Sequence, residues 1–261
     1  MVDGCLTSSS TTPGATAMPA PTWTMQLGSG GQTTIAGSSG GTFTLTGAGN
    51  GVIEKDLASG ISNLVKDGGG TWTVSGIAGH GGATIVQDGT LVLSGANTYT
   101  GGTVVNQGTL RADNILALGP AGSSVTLNGG ALELSGGGSD AKFTYDLSVA
   151  GTATVQPIGA RKDLIGVLTG AGTLEVIGSQ GLRMAVDMSA FAGTLIKNST
   201  NELHLMINNG SFGDSATTSG SSAAAFEINA GRVYLLNNTQ AGTAYMGALS
   251  GTGGTINSKY N

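Results

Sequence analysis

The amino-acid sequence predicts an all-β fold, a right-handed parallel β-helix (a β-solenoid) of about ten coils of roughly 19–22 residues each. Three observations predict it. A glycine-led step recurs at a near-constant interval, from "GTWTVSG" at Gly70 to "GTLVLSG" at Gly89 and "GTLRADN" at Gly108, the two spacings being equal. Within the steps, apolar residues alternate with variable ones, as on a strand with one face buried. The composition joins 48 glycines and 39% hydrophobic residues to only 10% charged ones. Such a chain has material for a core but breaks into short strands and many bends, where glycine supplies positive φ.

Taken in order, Met1–Pro21 is rich in Ser, Thr, Ala and Pro and carries one charge, Asp3; it reads as a disordered leader or linker. Regular structure is expected to begin near Thr22–Leu27, and the solenoid to occupy 22–261. Weak copies of the step, "GQTTIAG" at Gly31 and "GTFTLTG" at Gly41, precede the clear ones. "GALELSG" at Gly130 follows Gly108 at a slightly longer interval, and Gly151, Gly172 and Gly193 then come in equal steps. "GRVYLLN" at Gly231 is placed two intervals further, and "GTINSKY" at Gly254 closes the series.

The second and fourth residues after glycine are expected inside: Trp72 and Val74, Leu91 and Leu93, Leu132 and Leu134, Leu174 and Val176, Val233 and Leu235. Leu91, Leu110 and Leu132 should form one internal pile, with coils about 4.8 Å apart. Lys197 falls on an inward position, so a register shift or bulge is expected there. "NELHLMI" then resumes alternation with Leu203, Leu205 and Ile207 inward and His204 outward. Asn208–Phe226 interrupts the count with small polar residues and reads as a loop insertion; such insertions gather on one face of a solenoid, often the binding face.

The net charge of −5 and a pI near 4.8 disfavour nucleic acid, which needs a basic stripe. No apolar run approaches the roughly 20 residues of a spanning helix. Cys5 is the single cysteine, so no intrachain disulfide forms. The first twenty residues lack the basic and apolar regions of a signal peptide.

"SGISNLVKDGGGTWTVSG" (Ser59–Gly76) and "DGTLVLSGANTYTGGTVVNQGTLRADN" (Asp88–Asn114) resemble the passenger-domain repeat of bacterial autotransporters, with looser echoes at Leu164–Gly178 and Met246–Ile256. The resemblance implies a β-helical passenger of a Gram-negative bacterium, exported through the periplasm to the cell surface or medium by way of a C-terminal outer-membrane barrel. No barrel strands are read in these 261 residues, so membrane contact is expected only through a barrel outside them.

Catalytic chemistry finds little support. His80 sits in the bend "AGHGG", and His204 is read as outward; both are expected to be solvent-exposed, and no Gly-x-Ser-x-Gly elbow surrounds a serine. Glu133 and Glu175 share the outward third position two coils apart, about 10 Å, near the 6.5–9.5 Å of an inverting glycosidase pair. Arg111 precedes Glu133 in that column, so a solvated charge ladder is the preferred reading. "GGGSDAK" (Gly136–Lys142) does not recur as calcium-binding repeats do. No catalytic, metal or cofactor site is expected. For binding, the insertion residues Asn208, Asn209, Phe212 and Asp214 and the exposed contacts Tyr99 and Tyr234 are the candidates, with Trp23, Tyr145 and Tyr245 as further aromatics. The expected function is a non-enzymatic passenger that adheres to a host-surface protein or glycan, or to another passenger. A secreted effector binding a host receptor, a carbohydrate-active enzyme and a plain stalk are the alternatives.

Overall fold

Leu91, Leu110 and Leu132 are registered partners on three successive parallel strands, and none has exposed surface. That internal pile is the axis of the molecule. The computed structural model describes residues 22–25, 41–207, 220–221, 224–237 and 245–260, and among these every regular element is a strand. Two 11-stranded parallel sheets run its length, each coil giving one strand to each sheet. The first sheet holds Asn50–Ile53, Thr71–Val74, Thr90–Leu93, Thr109–Ala112, Ala131–Leu134, Thr152–Pro157, Thr173–Val176, Thr194–Lys197 and Ala225–Ile228, with Thr22–Met25 and Leu249–Ser250 at its edges. The second runs from Gly41–Leu45 through Ile61–Lys66, Thr84–Val86, Thr103–Val105, Ser123–Leu127, Ala141–Val149, Lys162–Gly170, Leu182–Asp187, Glu202–Ile207 and Arg232–Asn237 to Thr255–Tyr260. This is the expected parallel β-helix. A short third pair joins Gly220–Ser221 to Tyr245–Met246.

The glycine of each step is forced by the coil beneath. A Cβ on Gly89 would lie 2.3 Å from the Gly68 carbonyl oxygen, and one on Gly108 2.4 Å from that of Gly89. Their φ angles, +65° and +70°, are also in the left-handed region that glycine tolerates best. The close approach lets Thr109 N donate to Gly89 O at 2.7 Å and Ala131 N to Gly108 O at 2.8 Å. The repeated glycine is therefore a spacing device between coils.

The register departs from the expected one in two places. Ala131 pairs with Thr154 and Glu133 with Gln156, a two-residue slip relative to the glycine alignment. An even slip keeps inward residues inward. The Leu132 pile consequently continues through Val155 and Val176 to Lys197 and Ile228. Second, the copies at Gly41, Gly231 and Gly254 lie in the second sheet, not the first. The first sheet is completed by Ala225–Ile228, which reaches back into the last two residues of the expected insertion.

Lys197 does face inward and is 1% exposed, but no bulge accompanies it: Val176, Lys197 and Ile228 are in continuous register. Its ammonium instead donates to the Ser199 carbonyl and, at 2.8 Å, to the Ser199 hydroxyl. Lys66 and Lys162 do the same at other corners, donating to Gly68 O and Asp88 O, and to Gly137 O and Gly138 O. Buried ammoniums thus satisfy carbonyls that the turns leave without ladder partners.

Candidate functional site

Two surfaces carry ordered polar chemistry. The first is the outside of the first sheet. On either side of the two-residue slip the strands begin at the same point of the coil, so Thr71, Thr90 and Thr109 stack in register, as do Thr152, Thr173 and Thr194. At the corner leading into this sheet, Asn106 Nδ2 donates to Gln87 Oε1 at 2.9 Å and Asn128 Nδ2 to Asn106 Oδ1 at 2.7 Å, an exposed amide ladder. Hydroxyls and amides repeat along the axis at the strand spacing of about 4.8 Å.

The second surface is the outside of the second sheet in its C-terminal half. Lys142, Asp163, Arg183, His204 and Tyr234 are successive registered partners. Asp163 is 1% exposed and receives two bonds from Arg183, from Nε at 2.9 Å and from Nη2 at 2.5 Å. Arg183 also reaches Asp140 at 3.4 Å, and Asp140 pairs with Arg161 at 2.5 Å. The Arg161 hydrogen bond holds the Asp140 carboxyl below its ordinary range. His204 Nε2 lies 3.1 Å from Glu202 Oε2, and its ring stands edge-on to Tyr234 at 5.1 Å. Burial lowers the His204 pKa, against the pull of Glu202. Beside this ladder Ile165, Ala185 and Met206 form a separate buried apolar cluster, with Tyr234 packed against it. Asp163 and Asp140 each face an arginine, and Glu202 lies against His204.

The expected site residues are redistributed. Tyr99 is not an exposed contact: it is 1% exposed, bonded through its hydroxyl to Thr103 Oγ1 at 2.8 Å. Tyr145 is likewise buried, donating to Ile115 O at 2.6 Å. Tyr234 is half-buried against His204. His80 is not a solvent-exposed bend residue; it is 1% exposed, stacks on Tyr99 and lies 3.2 Å from Thr84 Oγ1. His204, read as outward and exposed, does face outward but is buried in the ladder. The two-residue slip parts Glu133 from Glu175, which sits in the column of Thr154 and Ile196. Glu133 keeps Arg111, 4.0 Å away, and Glu175 accepts from Asn198 at 2.9 Å. Asn208, Asn209, Phe212 and Asp214 lie outside the described residues, as do the side chains of Trp23 and Tyr245. The ion ladder has a faint signal in the sequence: Lys142, Asp163, Arg183 and His204 follow one another at the coil interval, one to each coil.

Among known families, the pattern of the passenger-associated transport repeat matches residues 64–93 and 88–112. These coils are passenger-associated transport repeats. The match spans residues 64–112 of the 261, and over that part the chain is similar to the repeat of autotransporter passengers, as its resemblance implied. No curated protein and no solved structure matches the chain. The passenger repeats coincide with the Leu91–Leu110 pile and with the first threonine stack, Thr71–Thr90–Thr109.

Proposed function

We propose that the chain is a non-enzymatic surface passenger whose outer first-sheet face binds a like face on another passenger, holding cells together. The observation that supports this most directly is the registered stack Thr71–Thr90–Thr109 beside the amide ladder Gln87–Asn106–Asn128. A column of uncharged donors and acceptors at fixed spacing can bond to a copy of itself, with Arg111 and Glu133 already paired to each other in the next outward column. Each hydrogen bond contributes only about 0.5–1.5 kcal/mol, but the contacts add along a rod. A glycan or host protein offering the same groups is the second kind of partner for this face.

The test is settling of bacteria that display the chain. Displayed wild type should clump cells, and Thr90→Lys with Asn106→Lys, which set like charges against each other, should disperse them at unchanged display. Cells that settle no faster with the chain than without it would remove the proposal. Turnover of any member of a broad glycan panel by the purified chain would favour an enzyme instead.

A further inference from the structure

Where the passenger repeats lie, the outside of the second sheet carries an apolar column. Leu64, Thr84 and Thr103, and two residues on Lys66, Val86 and Val105, are buried against the core. Val65, Ile85 and Val104 between them therefore point outward. These three are registered partners and half-buried, and the column has Thr44 before them and Thr126 after. Two residues further along each strand, on the same face, stands the amide ladder of Gln87, Asn106 and Asn128. Its internal bonds use one N–H of Asn106 and one of Asn128, which leaves the second N–H of each and both of Gln87 for a ligand. On the opposite border Asn63 spends its carbonyl oxygen on Ala83 N at 2.9 Å and, with Ser59, Ser62, Gly81 and Gly82, lines a shallow depression. A Cβ on Gly82 would lie 2.2 Å from the Ser62 carbonyl oxygen, so that border stays low.

None of these outward residues is charged. Asp67 precedes Gln87 in the ladder row and sets one carboxylate at its end. The ammonium of the adjoining Lys66 is buried and donates to Gly68 O and Asp88 O. The face thus favours an uncharged partner over an anionic one. Its form is two narrow columns side by side, apolar and amide, with rungs about 4.8 Å apart. A stable protein interface buries about 800 Å² a side around aromatic or arginine anchors, which this strip lacks. A sugar chain is narrow, and each ring offers C–H groups on its face and hydroxyls on its edge. We propose that this face binds an uncharged glycan laid along the solenoid axis, its ring faces on Val65, Ile85 and Val104 and its hydroxyls on the amides of Gln87, Asn106 and Asn128. The site lies on the second sheet and needs no contact between passengers.

The test is titration of the isotope-labelled whole chain with hexasaccharides of dextran, mannan, xylan and galactan, followed by NMR, with hexagalacturonate as the anionic control. At least one neutral saccharide should shift the backbone amides of Val65, Ile85 and Val104 and the side-chain amides of Gln87 and Asn106. Hexagalacturonate should bind at least tenfold more weakly. Ile85→Ser and Val104→Ser, which change outward side chains and leave the core untouched, should each weaken binding at least tenfold; unchanged core methyl signals confirm that they fold. Thr90→Lys, on the first-sheet face, should leave saccharide binding intact, so this proposal and self-association fail separately. No binding by any of the four neutral chains at millimolar concentration overturns the proposal and turns the search to a protein partner. Shifts gathered on the first sheet, equal binding of hexagalacturonate, or wild-type binding by both serine variants overturn it too.

Discussion

The His80 ring lies flat against the Tyr99 ring, centroids 4.6 Å apart and planes 18° apart, one coil above the other in the passenger repeats. Both rings are buried, and each polar edge meets a threonine four residues on, Thr84 and Thr103. Burial pushes the His80 pKa down to about 4, with Ala83 opposing, and the Tyr99 pKa up to about 12. The unfolded histidine titrates near 6.5. Between pH 6.5 and about 4 the unfolded chain therefore binds more protons, and stability falls as pH falls through that window. Below it the contribution is flat. Denaturant melts should show a loss on the order of a few kcal/mol from pH 7 to 4 that is reduced in His80→Phe. Parallel pH curves for the two proteins would contradict this.

Gly108→Ala should be costly. Its Cβ would sit 2.4 Å from the Gly89 carbonyl oxygen at a φ of +70°, so both the coil spacing and the backbone angle must give. A loss of at least about 2 kcal/mol is expected. Gly122 has a φ of +82° but nothing near its would-be Cβ, so Gly122→Ala isolates the conformational part, about 1–2 kcal/mol. Equal losses at the two sites would show that contact between coils is not what the step requires.

Removing Arg183 takes from the nearly dry Asp163 carboxylate the cation that binds it twice, and removing Asp163 leaves Arg183 with the longer Asp140 contact. Asp163→Leu or Arg183→Met alone should destabilise by about 3–5 kcal/mol, and the double variant by clearly less than the sum. Additive losses in thermal melts would count against the coupling.

Burial lowers the Lys197 pKa to about 8, against 10.5 for a free lysine. From pH 8 to 10.5 the unfolded chain holds the extra proton, so stability should rise with pH across that window. Tyrosines titrate nearby, so the measurement is the difference between wild type and Lys197→Met. Wild type should gain stability relative to Lys197→Met as pH rises through that window. A constant difference would mean that the ammonium is not penalised by its site.

Much of the fold was legible in the chain because two periods are written into it. The coil period follows from glycines that must underlie one another, and the strand period of two follows from Leu91, Leu93, Leu132 and Leu134. The site was less legible. In the sequence Tyr99 and His80 look like surface residues because polar aromatics in glycine-rich bends are ambiguous; their burial rests on one ring covering the other from the next coil. The ion ladder is hard to see in the sequence because its members are scattered singly along it and meet only when coils stack.

By itself the sequence determined that this protein winds into stacked parallel coils, which side chains of the regular steps face inward, and where glycine is obligatory. Tertiary structure alone decided the two-residue slip at Ala131–Thr154, the transfer of the Gly231 and Gly254 strands to the second sheet, and so the parting of Glu133 from Glu175. The reason is that alternation repeats every two residues: sliding a strand by an even number leaves its apolar pattern satisfied. Only the fit of turns and side chains between neighbouring coils chooses among the registers that the pattern allows.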